Sequence, residues 1–509
     1  MHSVLSMLEA TSENYPQKTA VVDPEGSCTF AELLEEARAA GTWLAGHGVS
    51  PRTPVALFLQ KSRLAWACML GAVYAGAYYC VLDVRQPAPR IRSMCATLKP
   101  AIVLTDAENL GQACELLGDT GLEIALVEDI VAGPTDVDLL GGVRAQATDT
   151  DPLYVNFTSG STGEPKGVVV GHRSVLDFVP TYCATFGIGA DDVLANQAPF
   201  DFDVSVKDLY SSLLTGATLA LVPREYFSNP TQLMDWICDC GATTLTWAVS
   251  ALCFVSIMGG LEYRVPATVR RVLFSGEVMP PKQLAVWQSH LPGATYVNLY
   301  GPTEITCNCT YFVVDRVFEP SEVIPMGQAF ANERVLLLDE GNRMIAPTSP
   351  GVVGEVCVGG SCLALGYLGD HERTVATFVQ NPTNDRWLDP LYRTGDLARY
   401  DAEGNLVYVS RKDHQIKHLG QRIELGDIEA AAQGVSGVEQ ACCLYDANRK
   451  RLVLFYVGGV DRKALKARLR ELLPSYMVPN NTRQLEAMPL TKNGKIDRTE
   501  LAARGRIKG

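Results

Sequence analysis

Positive charge is in short supply in this sequence. Its 57 acidic residues outnumber 44 basic ones, for a net charge of −13. The basic residues are scattered, with no run longer than a few, so the surface is not built for nucleic acid or anionic membrane. Cys-x-x-Cys is absent, although there are fifteen cysteines. Cys238 with Cys240 and Cys307 with Cys309 are Cys-x-Cys pairs that lack the partner pairs and histidine spacing of a zinc site. Cys68, Cys80, Cys442 and Cys443 sit in apolar runs. The thiols are therefore expected to be structural or pocket-lining, which suits a reducing cytoplasm. A signal peptide is also missing: "MHSVLSMLEATSENYP" has no basic region followed by an apolar run. One uncharged stretch, residues 64–82, is 19 residues long, about a membrane span. Gly71 and Gly76 interrupt it, and a helix, a glycine stop and a buried strand explain it without lipid.

What is present is enough for more than one domain. The chain has 509 residues, 47% hydrophobic and 20% charged, the composition of a large globular core. Helical and strand patterns alternate through the first 400 or so residues. "FAELLEEARAAGTWLAGHG" has helical spacing and stops at glycines. "PVALFL", "PAIVLTD" and "IALVED" look like buried strands. This is the βαβ signature of a parallel sheet covered by helices. From about Gly327, "RVLLLDEGNRMI", "GEVCVGG" and "GNLVYVSRKDHQIKHLG" predict a small β-rich part. Beyond Lys412, helical "LGDIEAAAQGV", two strands in "VEQACCLYDANRKRLVLFYVGG", and "DRKALKARLRELL" with Asp461 as its N-cap predict a compact α+β domain. The expected boundaries are 1–412 and 413–509.

The stretch "TSGSTGEPKG", residues 158–167, cannot build a core. It lies between strands "LYVNF" and "GVVVGH". Its glycines free consecutive backbone N–H groups to face one anion, its hydroxyls add donors, and Lys166 adds charge. Phosphate is the natural guest, although the loop does not fit a Walker A motif. A bland surface loop is the alternative for this stretch alone. Further along come "NLYGPTE" (298–304), "LYRTGD" (391–396), "SRKDHQIKHLGQRIE" (410–424) and "TKNGKIDR" (491–498).

Together and in this order, these motifs resemble those of the adenylate-forming superfamily of acyl-CoA synthetases, luciferases and nonribosomal peptide adenylation domains. The resemblance covers nearly the whole chain. It implies an α/β fold: a large N-terminal domain of layered sheets with a β-rich subdomain, and a small mobile α+β C-terminal domain. It also implies ATP and Mg²⁺. Nucleotide-binding residues implied by it are Thr158, Ser159, Gly160, Ser161, Thr162, Gly163 and Lys166 of the loop, Gly276 and Glu277 of "FSGEVMP", and Asn298, Tyr300, Gly301 and Thr303. Asp396, Arg411 and Lys495 complete this set. Tyr300 would stack on adenine, and Asp396 would accept from the ribose hydroxyls with Arg411 assisting. Glu304 and Thr158 match the magnesium-associated residues. Lys495 would bridge the attacking carboxylate and the α-phosphate. Asp413 matches the hinge about which the small domain rotates for thioester formation. Lys417 and Gly420 match the face presented in that second step. Ser410 stands where the family usually has Gly.

In "APFDFDVSVKDLY", Asp203 matches the aspartate that holds the substrate ammonium in amino-acid-activating members. The alternative is that Asp203 merely caps the following helix. The matching side-chain pocket comprises Asp203, Val204, Lys207, Thr246, Leu273, Ser275, Leu299, Cys307 and Asn308. The chain looks most like stand-alone D-alanine–D-alanyl carrier protein ligases, but Ser275 replaces their usual Cys and Lys207 their Met. The chain stops soon after Lys495, so a separate phosphopantetheinylated carrier protein is the expected partner. An acyl- or aryl-CoA ligase and a non-catalytic nucleotide-binding relative are the alternatives. Lys207 must snorkel to water, pair with a protein carboxylate, or meet an acceptor on the substrate. In the first two cases a small amino acid such as alanine or glycine fits.

Overall fold

A computed structural model describes residues 2–160, 164–412, 415–418, 420–490, 496–505 and 507. The chain divides into two compact units. The first comprises Met1–Val84, Lys99–Asn156 and Val168–Lys412; the second comprises Arg85–Leu98, Phe157–Gly167 and Asp413–Gly509.

Two large sheets are built from the βαβ alternation. In one, strands Pro54–Phe58, Tyr78–Leu82 and Ile102–Thr105 run parallel side by side. Every residue in these three strands is buried, which is why they read as continuous apolar runs rather than alternating ones. The second large sheet has nine strands. At its centre, Val193–Asn196, Thr244–Ala248, Arg271–Ser275 and Thr295–Tyr300 are parallel neighbours in that order.

Helix Phe30–Gly46 starts at a capping box, in which Thr29 accepts from the Glu32 amide and the Glu32 side chain accepts from the Thr29 amide. It packs on helix Arg63–Tyr74. A Cβ on Gly41 would sit 2.4 Å from the Tyr74 Cβ, and one on Gly71 would sit 2.4 Å from the Ala40 Cβ. Glycine at both positions is what lets these helices touch. The uncharged stretch is accounted for by this helix, a turn at Gly76 and the strand Tyr78–Leu82. No described helix is long and apolar enough to cross a membrane.

The β-rich part is an antiparallel sheet of Glu333–Leu338, Gly354–Gly360, Pro390–Tyr400, Phe378–Gln380 and Leu406–Arg411. One expected strand is shorter than its apolar pattern. "IALVED" leaves the sheet at Leu126, and Val127–Val131 is helical with Glu128 and Asp129 in its first turn, where the helix dipole favours acids. All fifteen cysteines are free; twelve are buried, and Cys238 and Cys240 are half-buried.

In the second unit, strands Val438–Asp446, Arg451–Gly458 and Asn481–Leu485 form one sheet, and Gln415–His418 pairs with Gln421–Glu424 as a hairpin. Helix Arg462–Leu472 is capped by Asp461, whose carboxylate accepts from the Lys463 and Ala464 amides. Its Leu465 and Leu469 pack with Ile423, Ile428 and Leu454.

Candidate active site

Open α/β sheets bind ligands beyond the carboxyl ends of their parallel strands. In the nine-stranded sheet, Ser275 and Tyr300 are the last residues of their strands. Gly276 follows the first of these with a φ of +95°. Thr246 lies near the end of the strand beside Arg271–Ser275, in register with Leu273.

Tyr300, Asp396 and Arg411 meet here. The Tyr300 hydroxyl donates to Asp396 Oδ2 at 2.6 Å, and Arg411 Nη1 donates to Asp396 Oδ1 at 2.7 Å. Antiparallel register puts Asp396 directly opposite Arg411, so the ion pair is a cross-strand pair. Its side chains are only 3% and 8% exposed. Burial, and then the Asp396 charge, hold the Tyr300 phenol well above its ordinary range. Each Asp396 oxygen has a second lone pair, so the carboxylate can still accept two further hydroxyls. Asn298 is turned to the Pro325 carbonyl, 2.7 Å away.

The loop after Tyr300 is tightly folded on itself. A Cβ on Gly301 would lie 2.5 Å from the Asn308 Cα. Thr306 and Cys307 adopt φ of +55° and +74°, costly for residues with a Cβ. Two bonds fasten them: the Thr306 hydroxyl donates to the Cys362 carbonyl at 2.7 Å, and the Cys307 thiol donates to the Asp203 carbonyl at 3.1 Å. Glu304 is fully buried, and its Oε1 accepts from the Tyr367 hydroxyl at 2.8 Å. Tyr367 escaped the sequence reading because it lies 63 residues away, and nothing local marks it.

Asp203 precedes helix Val204–Thr215, but its carboxylate makes no N-cap hydrogen bond into the helix's first turn; the backbone bond it takes is from the adjacent Val204 amide. Asp203 is therefore not merely a cap: it already has helical dihedrals, and its side chain takes a hydrogen bond from Thr303 as well as the one from the Val204 amide. Burial pushes its carboxyl up, and Lys207 opposes that shift. Lys207 is on the helix one turn on and is 0% exposed. Its Nζ donates to Asn308 Oδ1 at 2.7 Å, and desolvation pulls its pKa down. The solvent-reaching conformation considered for Lys207 does not occur. Leu273 and Leu299 are buried apolar residues, and Ser275 is buried as well. The Thr246 hydroxyl lies 3.2 Å from that of Tyr182.

Behind this helix is a network that the sequence did not reveal. Asn196 Nδ2 donates to Asp208 Oδ2 at 3.1 Å. Lys61 Nζ donates to the carbonyls of Asn196 and Gln197 at 2.9 and 3.0 Å. Burial lifts Asp208 to about 6.

Glu277 follows Gly276 in the first unit; the other expected residues belong to the second. The Thr158 hydroxyl is buried and has no hydrogen-bond partner among the described residues. Ser159 Oγ donates to the Arg422 carbonyl at 2.8 Å and accepts from the Glu424 amide at 3.2 Å. Gly160 follows, and Lys166 opens strand Lys166–Gly171. Lys417 sits opposite Arg422 in the hairpin. Ser161, Thr162, Gly163, Asp413 and Lys495 lie outside the described residues.

The profile of the family described as "AMP-binding enzyme" matches residues 8–368, and that of the "AMP-binding enzyme C-terminal domain" matches 427–495. The chain belongs to the AMP-binding enzyme family. It is 33% identical to the L-proline–[L-prolyl-carrier protein] ligase of Streptomyces coelicolor, over 97% of this chain and 95% of that protein. It is 32% identical to tyrocidine synthase 2 of Brevibacillus parabrevis over 98% of this chain, which spans only 13% of that longer protein. Among solved structures it superposes on holo-PA1221, described as an NRPS protein containing adenylation and PCP domains bound to a vinylsulfonamide inhibitor. That match has a TM-score of 0.85 and 28% identity, and covers 99% of this chain and 84% of the other. The Vibrio cholerae adenylation domain AlmE shares the fold at a TM-score of 0.85 with 22% identity, over 99% and 98% of the two chains.

Proposed function

We propose that this enzyme condenses an amino acid with ATP to an aminoacyl-adenylate, and then transfers the aminoacyl group to the phosphopantetheine thiol of a separate carrier protein. The observation that carries the amino-acid half is Asp203. It is a half-buried carboxylate bound by the neutral hydroxyl of Thr303 and the Val204 amide, with no N-cap bond into the helix's first turn. A half-buried anion of this kind, open enough for a ligand to reach, is sensible when the ligand brings the cation. An acyl- or aryl-CoA ligase, the second reading, has no use for it. The carrier-protein half is supported by the 33% identity to a prolyl-carrier protein ligase over nearly full length on both sides.

In this account Asp396, with Arg411 and Tyr300 fixing both its oxygens, accepts the ribose hydroxyls. Lys495 neutralises the charge that develops as the substrate carboxylate oxygen bonds to the α-phosphorus and the bond to pyrophosphate breaks. The carrier thiol then attacks the carbonyl carbon, and AMP leaves. Lys417 belongs to this second step.

The donor set suits Mg²⁺ arriving with the nucleotide. In the first unit Glu304 offers a buried carboxylate, and in the second Thr158 offers a hydroxyl without a hydrogen-bond partner among the described residues. Among the described residues there is no cluster of three or more His, Cys, Asp or Glu side chains that could hold a metal. Mg²⁺ is commonly held by one or two carboxylates plus substrate phosphates. It would screen the triphosphate charge against the incoming carboxylate. Glu304→Gln keeps the Tyr367 hydrogen bond but removes the charge. It should raise the magnesium concentration required for pyrophosphate exchange or abolish exchange, and a wild-type magnesium titration would remove Glu304 from the site.

The two half-reactions supply the test. Lys417→Ala should leave amino-acid-dependent pyrophosphate exchange largely intact while impairing loading of a cognate holo-carrier protein, read by intact mass. Normal loading would refute the role of Lys417. Failure of the wild type to load any carrier while making free aminoacyl-adenylate would refute the transfer half.

A further inference from the structure

The buried ammonium of Lys207 has chemistry the proposed reaction has not yet used. A lysine in this position has three ways to keep its charge. Snorkelling is ruled out by its complete burial. Pairing with protein is the second. Lys207 makes no ion pair with any described carboxylate, and its Nζ has one hydrogen bond, to the neutral amide oxygen of Asn308. Asp208, next in the chain, faces Asn196 and Thr246. Asp203, one turn back, is hydrogen-bonded to Thr303 and the Val204 amide and acts on Lys207 only through its charge. An ammonium has three N–H donors. Two of the three on Lys207 are therefore without a partner among the described residues.

The third way is an acceptor brought by the ligand. We infer that Lys207 determines specificity, and that the activated amino acid carries a side-chain carboxylate, as aspartate and glutamate do, which pairs with the Lys207 ammonium. This inference rests on the amino-acid reading of the site. Under that reading the substrate α-ammonium pairs with Asp203, and its α-carboxylate goes to the phosphate. A neutral side chain would leave Lys207 with only the more distant charges of Asp203 and Asp208 against its burial, and would set it against the α-ammonium that also draws on Asp203. An acidic side chain gives each charge a partner. Asn308 holds the ammonium in place from the strained segment at Thr306 and Cys307, which the Cys307–Asp203 bond ties to the start of the same helix. Burial pulls the Lys207 pKa down, opposed by the nearby Asp203 and Asp208, and an anion brought beside it would favour the charged form further.

The experiment is amino-acid-dependent ATP–pyrophosphate exchange by the wild-type enzyme, with aspartate, glutamate, asparagine, glutamine, alanine, glycine and proline as separate substrates. One of the two acids should exceed its own amide by about 10²-fold or more in kcat/KM, since the amide is nearly isosteric and lacks only the charge. Lys207→Met should lose most of that preference and gain relative activity toward apolar side chains. Wild-type preference for alanine, glycine, proline or an amide would overturn the inference while leaving the amino-acid reading intact. Exchange with no amino acid at all would overturn both. The wild-type comparison needs no variant, so a poorly folding Lys207→Met does not blunt the test.

Discussion

Lys495→Ala should lower amino-acid-dependent pyrophosphate exchange on the order of 10²–10³-fold, the scale of losing one positioned donor at a developing anion. The carboxylate and the α-phosphate are both negative, so the barrier to their union is largely electrostatic, and a single ammonium placed between them acts on the transition state more than on either bound ligand. The loss should therefore fall on kcat more than on the KM values. Thiolysis of a preformed aminoacyl-adenylate should be affected far less, because that step forms no bond to phosphorus. Separate assays of the two half-reactions make the distinction. Equal losses in both would assign Lys495 to general nucleotide binding or to folding.

The second large effect is expected at Asp203. Asp203→Asn preserves shape and can still accept the Thr303 hydrogen bond, but removes the anion. Taking one member from a buried charge pair costs about 3 kcal/mol or more. The kcat/KM for the amino acid should accordingly fall on the order of 10²-fold or more. ATP binding should change little, since Asp396, Arg411 and Tyr300 form a separate buried cluster. The measurement is the pair of KM values in exchange, with nucleotide binding followed separately by calorimetry. An unchanged KM for the amino acid would take the α-ammonium away from Asp203.

Legibility from sequence followed the range of the interactions. Local chemistry was readable. The cap at Asp461, the Gly76 turn and the fully apolar strands each need only neighbours in sequence. The strand Ile124–Leu126 misled because Glu128 and Asp129 favour a helix start just where the apolar pattern continues. The site was readable as motifs, since its glycines and carboxylates cluster along the chain. Its contacts were not. Tyr300 meets Asp396 across 96 residues, Glu304 meets Tyr367 across 63, and Lys207 meets Asn308 across 101. From sequence, Asp203 could be a cap or a ligand group, and Lys207 could be exposed, paired or poised for substrate. Three-dimensional packing closed the cap-only and snorkelling options, because both depend on where the 303–308 segment folds back. The strain at Thr306 and Cys307 has no sequence mark, since neither residue type announces a positive φ.

The most direct test of the amino-acid claim is ATP–pyrophosphate exchange with matched substrate pairs, each pair an α-amino acid and the same carboxylic acid lacking its amino group. The account predicts exchange with at least one amino acid, and little or none with its des-amino partner at equal concentration. Equal or faster exchange with the des-amino acid would contradict it, and would place the chain among the acyl- or aryl-activating members of the family.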